Sequence, residues 1–152
     1  MPGLGPQQPQ DAITAARFSI VIDGYQIASF AELSGITTEV EPVELMESSD
    51  REVVMKKMVG KVKAPTLVLK RGKNSSMELW AWHEAALSGD IVAARKSCSL
   101  VMHGTDGKPV ARYHLEHAWP SKLEVGALRA GSSEVLMETV TLVCERIQRV
   151  SP

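Results

Sequence analysis

Cysteine is scarce in this chain: Cys98 and Cys144 are the two among 152 residues. Both sit in apolar, strand-like runs, so they read as buried, reduced thiols rather than a disulfide framework or a metal motif. Aromatic residues make up 5% of the chain, too few for a platform that stacks single-stranded nucleic acid. Neither sign of charge prevails: the formal net charge is −1, which removes the global electrostatic argument for binding nucleic acid or an anionic membrane. No apolar run approaches the ~20 residues of a membrane-spanning helix. The opening M-P-G-L-G-P-Q-Q-P-Q has neither basic residues nor an apolar core, so no secretory signal is expected and synthesis in the cytoplasm is. Catalytic signatures are missing too. There is no G-x-S-x-G, P-loop, H-E-x-x-H, C-x-x-C or kinase pattern. Arg71-Gly72-Lys73 follows a strand without the second glycine, lysine and hydroxyl of a phosphate loop. His114 and His117 have a spacing that could serve a metal on a helix, but on a strand it sends them to opposite faces. His83 and His103 read as core-rim and surface residues. No cofactor, metal or catalytic group is expected, and the chain does not read as an enzyme.

What is present is alternation. The content of 44% hydrophobic and 23% charged residues is ordinary for a globular protein, and the length fits one domain. Residues 1–12, rich in Pro, Gly and Gln, are expected to form a flexible arm, and residues 13–150 the domain. Phe18, Ile20 and Ile22 alternate with Ser19 and Val21 in a first strand. Asp23-Gly24 is a tight-turn signal, because glycine supplies the positive φ that a short hairpin requires. Tyr25 to Glu32 is the return strand, and Leu33-Ser34-Gly35 a short break.

Gly35 to Gly72 then reads as one long strand–turn–strand unit. Its outgoing arm carries Glu39, Glu41, Glu44 and Glu47; its returning arm carries Lys56, Lys57, Lys61, Lys63 and Lys70. An acidic arm beside a basic one gains cross-strand pairs of roughly 0.2–1 kcal/mol each. Ile36, Thr38 and Val40 share one face; Thr37, Glu39 and Glu41 share the other, so one side of this sheet is expected to face water. Pro42 cannot donate to a ladder, so a bulge or an edge is expected there, with a change of parity after it, an interruption at Gly60 and a kink at Ala64-Pro65. The Glu39/Glu41 and Glu44/Glu47 carboxylates lie on polar strand faces without an implied pocket, so they read as a solvated surface. Such a length of edge is hard for a monomer to hide, which points to pairing with other copies.

Further on, Ser75 and Glu78 have capping-box spacing for a helix running to about Leu87 and stopping at Gly89. Strands are expected over Arg95–His103 and Val110–Ala118, the latter ended by Trp119-Pro120. Ser121–Ser133 reads as a looser connection, followed by one long strand over Glu134–Ile147. The fold class is therefore mainly β: an antiparallel barrel or sandwich of seven or eight strands, one flanking helix and a long hairpin extension.

Several segments, in order and spacing, carry a resemblance. They are F-S-I-V-I-D-G (Phe18–Gly24), F-A-E-L-S-G-I-T-T-E-V-E (Phe30–Glu41), M-V-G-K-V-K around Gly60, T-L-V-L-K-R-G (Thr66–Gly72), L-W-A-W (Leu79–Trp82), A-W-P-S-K (Ala118–Lys122) and E-V-L-M-E-T-V-T-L-V-C-E (Glu134–Glu145). With these the chain resembles the tail tube protein family of contractile phages and related injection particles. The resemblance implies a homo-hexameric ring that stacks into a hollow tube. Its partners would be a surrounding sheath, baseplate or spike and cap proteins, and a cargo of protein or DNA in the lumen. It implies that the long hairpin helps to line the channel, with Glu39, Glu41, Lys61 and Lys63 expected to face the lumen and Ile36, Thr38 and Val40 to pack on the subunit's own barrel. Glu47, Asp50 and Arg51 at the hairpin tip are expected to meet the next ring. The Pro-rich residues 1–12 lie outside the shared pattern, and the tip is a variable region of such proteins. A type VI secretion tube component and a monomeric β-barrel binding module are the alternatives.

Overall fold

The structure is a computed structural model, and it describes residues 14–48, 53–72, 76–126, 131 and 135–152. The chain forms strands β1 (Arg17–Ile22), β2 (Tyr25–Phe30), β3 (Glu32–Ser48) and β4 (Val53–Gly72), helices α1 (Glu78–Leu87) and α2 (Ile91–Ala94), and strands β5 (Lys96–His103), β6 (Pro109–Val125), β7 (Met137–Val143) and β8 (Arg146–Val150). Every neighbouring pair is antiparallel, in the order β2-β1-β5-β6-β7-β4-β3, with β8 also on β6. The long β6 joins two halves. Its first part pairs with β5 and β8; its last part, Trp119–Val125, pairs with β7. The two halves close over one core built on Ile20, Phe30, Leu67, Leu69, Leu79, Leu100, Leu115, Val140 and Leu142. This is the expected mainly-β, antiparallel, sandwich-like class.

Boundaries differ from the sequence reading in places with physical causes. Leu33-Ser34-Gly35 is a bulge inside β3, not a break: Leu33 faces Leu69 and Gly35 faces Val68, leaving Ser34 as the extra residue. β6 does not stop at Trp119-Pro120. Pro120 sits opposite Leu142, and its carbonyl accepts the Nδ1–H of buried His83 at 3.0 Å, so helix α1 holds the strand on course. The expected last strand is two, β7 and β8. Cys144 N–H donates to Pro65 O (3.1 Å) and Glu145 N–H to Glu116 O (2.9 Å), so consecutive amides serve opposite neighbours and the chain steps between halves. Helix α1 begins at Glu78 with Met77 as N-cap and no side-chain cap bond; the Ser75 of the expected capping box lies outside the described residues. Its end is as expected. Gly89 has φ 79°, Gly89 N–H reaches Ala86 O and Asp90 N–H reaches Ala85 O, a Schellman turn. Among the described residues there are two helices rather than one, because Asp90 Oδ1 caps a further turn at Ala93 N–H (3.2 Å) and starts α2. Residues 1–12 also lie outside the described residues.

Two buried features make the core selective. Arg71 and Glu138 face each other across β4 and β7, with side chains 5% and 8% exposed and 3.6 Å between Nη2 and Oε2. The Arg71 guanidinium lies 5.6 Å from the centre of the Phe30 ring, and its Nε has no hydrogen-bond partner among the described residues. Removing one member of such a pair strands the other charge, whereas removing both does not. Arg71→Met should therefore lower stability by about 3–5 kcal/mol, and Arg71→Met/Glu138→Leu should recover most of it in chemical denaturation.

The thiols are buried as expected. Burial, aided by the nearby Cys144, pushes the Cys98 thiol up to about 12 from 9.0, and burial pushes Cys144 up to about 11. Above pH 9 the unfolded chain releases thiol protons that the folded chain retains. Stability therefore falls as pH rises from about 9 toward 12. The urea midpoint of the wild type should drop more between about pH 8 and 10 than that of Cys98→Ala/Cys144→Ala, and parallel slopes would contradict it.

Candidate assembly surface

Strands β3 and β4 are 17 and 20 residues long, well beyond the usual strand of about five or six. Their inner parts belong to the core: Leu67 and Leu69 are buried, and Leu33 and Ile36 pack against them. Outward of Ile36 on β3 and of Pro65 on β4 almost every residue is exposed. The pair has left its own domain behind.

The register fixes which side chains share a face, because neighbours along a strand alternate and cross-strand partners agree. Glu39 faces Lys63, Val43 faces Met58, Leu45 faces Lys56 and Glu47 faces Val54. With Glu41 these form one face, continuous with the outward Thr37–Thr66 pair. Val40 faces Val62, Pro42 faces Val59, Glu44 faces Lys57, Met46 faces Met55 and Ser48 faces Val53. These form the other face, continuous with Ile36–Leu67 and so with the core side of the sheet. The first face is mixed and charged; the second is mostly apolar and uncovered, with Val59 86%, Met46 65% and Val62 62% exposed.

Two bulges on β4 maintain this division. Between Val40–Val62 and Pro42–Val59, Glu41 alone faces both Gly60 and Lys61; between Thr37–Thr66 and Glu39–Lys63, Thr38 alone faces Ala64 and Pro65. The change of parity expected in β3 at Pro42 thus occurs on the opposite strand at Gly60-Lys61. The reason is steric. A side chain at Gly60 would run into the Glu41 carbonyl oxygen and meet Val43 Cγ2 at 2.6 Å, so only glycine permits this close approach.

The sequence-expected site residues fall as follows. Glu39 and Lys63 form an ion pair at 3.3 Å, on the face away from the core. Glu41 is exposed opposite the bulge, and Lys61 is exposed within it. Glu47 pairs with Lys56 at 2.8 Å near the described end of the arm. Asp50 and Arg51 lie outside the described residues. The expected packing of Ile36, Thr38 and Val40 on the subunit's own barrel holds for Ile36 alone. Thr38 and Val40 are exposed, because the arm passes the rim of the core at this point. Each ion pair is more than half exposed and contributes roughly 0–1 kcal/mol. They fix register more than they stabilise.

The sequence reading missed a second edge. The outer edge of β3 has no pairing strand among the described residues, and neither does the far edge of β6 over Ser121–Val125. One half-sheet therefore ends in two open edges. The signal was present in the length of the run from Val110 through Val125, hidden by Pro120.

Other clusters do not assemble into chemistry. Ser19 Oγ lies 2.8 Å from His103 Nε2, and His103 Nδ1–H donates to Gly107 O at 3.1 Å, but Ser19 is 1% exposed and its hydroxyl is closed to any substrate. This contact ties the β5–β6 turn to β1. His117, at φ 50°, lies 3.9 Å from Glu145, which also meets Arg95 at 3.4 Å. Among the described residues no group of His, Cys, Asp and Glu could hold a metal ion, and no helix is long and apolar enough to cross a membrane.

Gly60→Ala should disrupt the arm while sparing the core. Amide hydrogen exchange in Val40–Val62 should speed up at least tenfold, and the thermal midpoint of the domain should shift by less than about 3 °C. Unchanged exchange in the arm would contradict the steric argument.

Comparison with known proteins agrees with this geometry. No curated protein sequence matches the chain significantly. Among solved structures, it is similar to a chain in the baseplate of the anti-feeding prophage, with 20% identity, TM-score 0.72, and 95% of this chain and 98% of that one covered. It is similar to a chain of the PVC sheath–tube complex, an extracellular contractile injection system, with 18% identity, TM-score 0.70, and 93% and 95% covered. It is similar to a chain of a gene transfer agent virion with 8% identity, TM-score 0.60, and 88% and 95% covered. These likenesses establish the fold. The family model described as T4-like virus tail tube protein gp19 matches residues 14–148, nearly the whole domain, and the chain belongs to that tail tube family.

Proposed function

We propose that copies of this chain close into hexameric rings whose inner wall is made of β3, β4, β7 and the end of β6, and that the rings stack into the tube of a contractile injection particle. The observation that carries the reading is the β3–β4 arm, which runs past its own core with an apolar face uncovered. A neighbour that covers this face and pairs its β6 edge with the β3 edge satisfies both needs at once, and a head-to-tail contact of this kind closes into a ring. Six copies are taken from the family resemblance and from the sixfold symmetry of the related baseplate.

In such a ring the face bearing Glu39, Glu41 and Lys63 bounds the channel, with Lys61 at the bulge beside it. Core and apolar underside lie on the other side of the sheet. Force passes along the tube through many repeated contacts and needs no catalysis, in keeping with the structural role of the family. Sheath, cap and baseplate proteins are the partners, as in the related particles, with assembly from subunits made in the cytoplasm. The tip around Glu47, Asp50 and Arg51 serves the next ring.

Electron microscopy of purified protein tests this reading. Rings or tubes are expected, and a monodisperse monomer at high concentration would instead favour a binding module. Asp50→Arg/Arg51→Asp should leave rings intact and shorten the tubes several-fold; tubes of wild-type length would remove the tip from the ring-to-ring contact.

A further inference from the structure

The face of the inner half-sheet turned away from the core carries charge of both signs, and the strand register arranges that charge in pairs. Lys70 faces Glu32 across β4 and β3, and further out Lys63 faces Glu39, with 3.3 Å between Nζ and Oε1. Glu41 stands opposite Gly60-Lys61; Lys61 precedes Val62 of the core-side face and so turns the other way, toward Glu41. Near the described end of the arm Lys56 holds Glu47 at 2.8 Å. On the opposite border of the half-sheet, Lys122 and Glu124 of β6 form an ion pair beside Thr141 and Thr139 of β7. Among the described residues of this face every lysine therefore has a glutamate beside it, and acids and bases are equal in number.

Within the arm this balance comes from pairing, not from mixing along a strand. β3 brings acids to the face and β4 brings bases. Paired strands lie about 4.8 Å apart, whereas salt screens charge over about 8 Å at physiological ionic strength. Opposite charges set closer than the screening length cancel a short way above the surface. Between the charged rows lie hydroxyls at Thr37, Thr66, Thr139 and Thr141 and apolar side chains at Val43, Met58 and Val68, which add no charge.

A polyanion gains affinity for a surface by exchanging its condensed counterions for lysine. A lysine already held by a glutamate offers little in that exchange, because each new contact breaks an existing pair. The same holds for a polycation with the signs reversed. Repetition makes this matter: contacts that are weak singly become strong when one chain makes many of them at once, and a tube presents the same wall in every subunit of every ring. Resting on the ring proposed above, in which this face bounds the channel, we infer that the wall is a charge-balanced lining that retains cargo of neither sign. Cargo then passes along the tube irrespective of its net charge.

Tubes of the full chain test this by cosedimentation with two short fluorescent probes, oligothymidylate and oligolysine, at low ionic strength. Glu39→Gln/Glu124→Gln leaves Lys63 and Lys122 unpaired. Its tubes should retain about tenfold more oligothymidylate than wild-type tubes, and the gain should vanish in high salt. Lys63→Gln/Lys122→Gln should raise retention of oligolysine to a similar extent. Should either double variant fail to form tubes, Glu41→Gln or Lys61→Gln takes its place. Both side chains are exposed and make no ion pair among the described residues, and each loss leaves one charge in excess. Wild-type tubes that retain a probe as strongly as the matching variant would overturn the lining. Wild-type protein that forms no tubes would instead remove the ring reading, and the lining with it.

Discussion

The arm formed by β3 and β4 is governed by one constraint: its core-side face continues for several residues after the core has ended. Full burial of a Val, Leu or Met side chain is worth about 1.5–3 kcal/mol. Val40, Val59, Val62, Met46 and Met55 leave much of that unrealised in the isolated chain. The exposed ion pairs at Glu39–Lys63 and Glu47–Lys56 contribute roughly 0–1 kcal/mol each by comparison. Apolar cover thus outweighs charge pairing several-fold, and any ordered assembly of this chain has to supply it. Charge pairs then decide which alignment of the arm is adopted, because a one-residue slip would take Glu39 from Lys63 to Val62 or Ala64.

The rest of the molecule serves to hold this arm at a fixed angle. β4 is anchored between β3 and β7 by seven successive registered positions, from Thr66 to Gly72. Arg71–Glu138 lies at the far end of that anchor, where charge that must stay paired discourages a shifted register. At the near end the bulges at Gly60-Lys61 and Ala64-Pro65 turn the strand without changing which face is apolar. β6 has the matching role on the other border, held on course through Pro120 by His83 of α1. A displacement of α1 would therefore be felt at the β6 edge of the inner half-sheet.

Much of this is legible in the residues themselves. Alternation locates the strands, Asp23-Gly24 and Gly89 mark turns that the backbone does make, and the split charge of Gly35–Gly72 marks the arm. What escapes does so for reasons of range. α2 spans four residues, too few for helical periodicity to register, and depends on Asp90 as its cap. The step at Cys144-Glu145 depends on which distant carbonyls, Pro65 and Glu116, are within reach of consecutive amides. The exposure of Thr38 and Val40 depends on where the core stops, and an apolar alternation reads the same on either side of that point. Glu39 and Lys63, by contrast, can be proposed as partners from charge alone.

An apolar arm that waits for a partner is also exposed to wrong ones, and its composition answers that hazard. Long, flat strand edges recruit any strand of similar pattern, and proteins blunt them with charge and bulges. Here Glu44 and Lys57 interrupt the apolar face midway, directly opposite one another. A copy that adds out of register meets one of these charges with an apolar side chain, and desolvating a charge without its counterion is expensive. The bulges add twist that a flat, fibril-like stack cannot follow. Methionines at positions 46 and 55 supply apolar area from flexible side chains that adjust to their neighbour, so the face tolerates small differences in the surface that covers it. The arm is therefore permissive about fine packing and strict about register, the combination that repeated head-to-tail contacts require if each subunit is to meet the next in the same way.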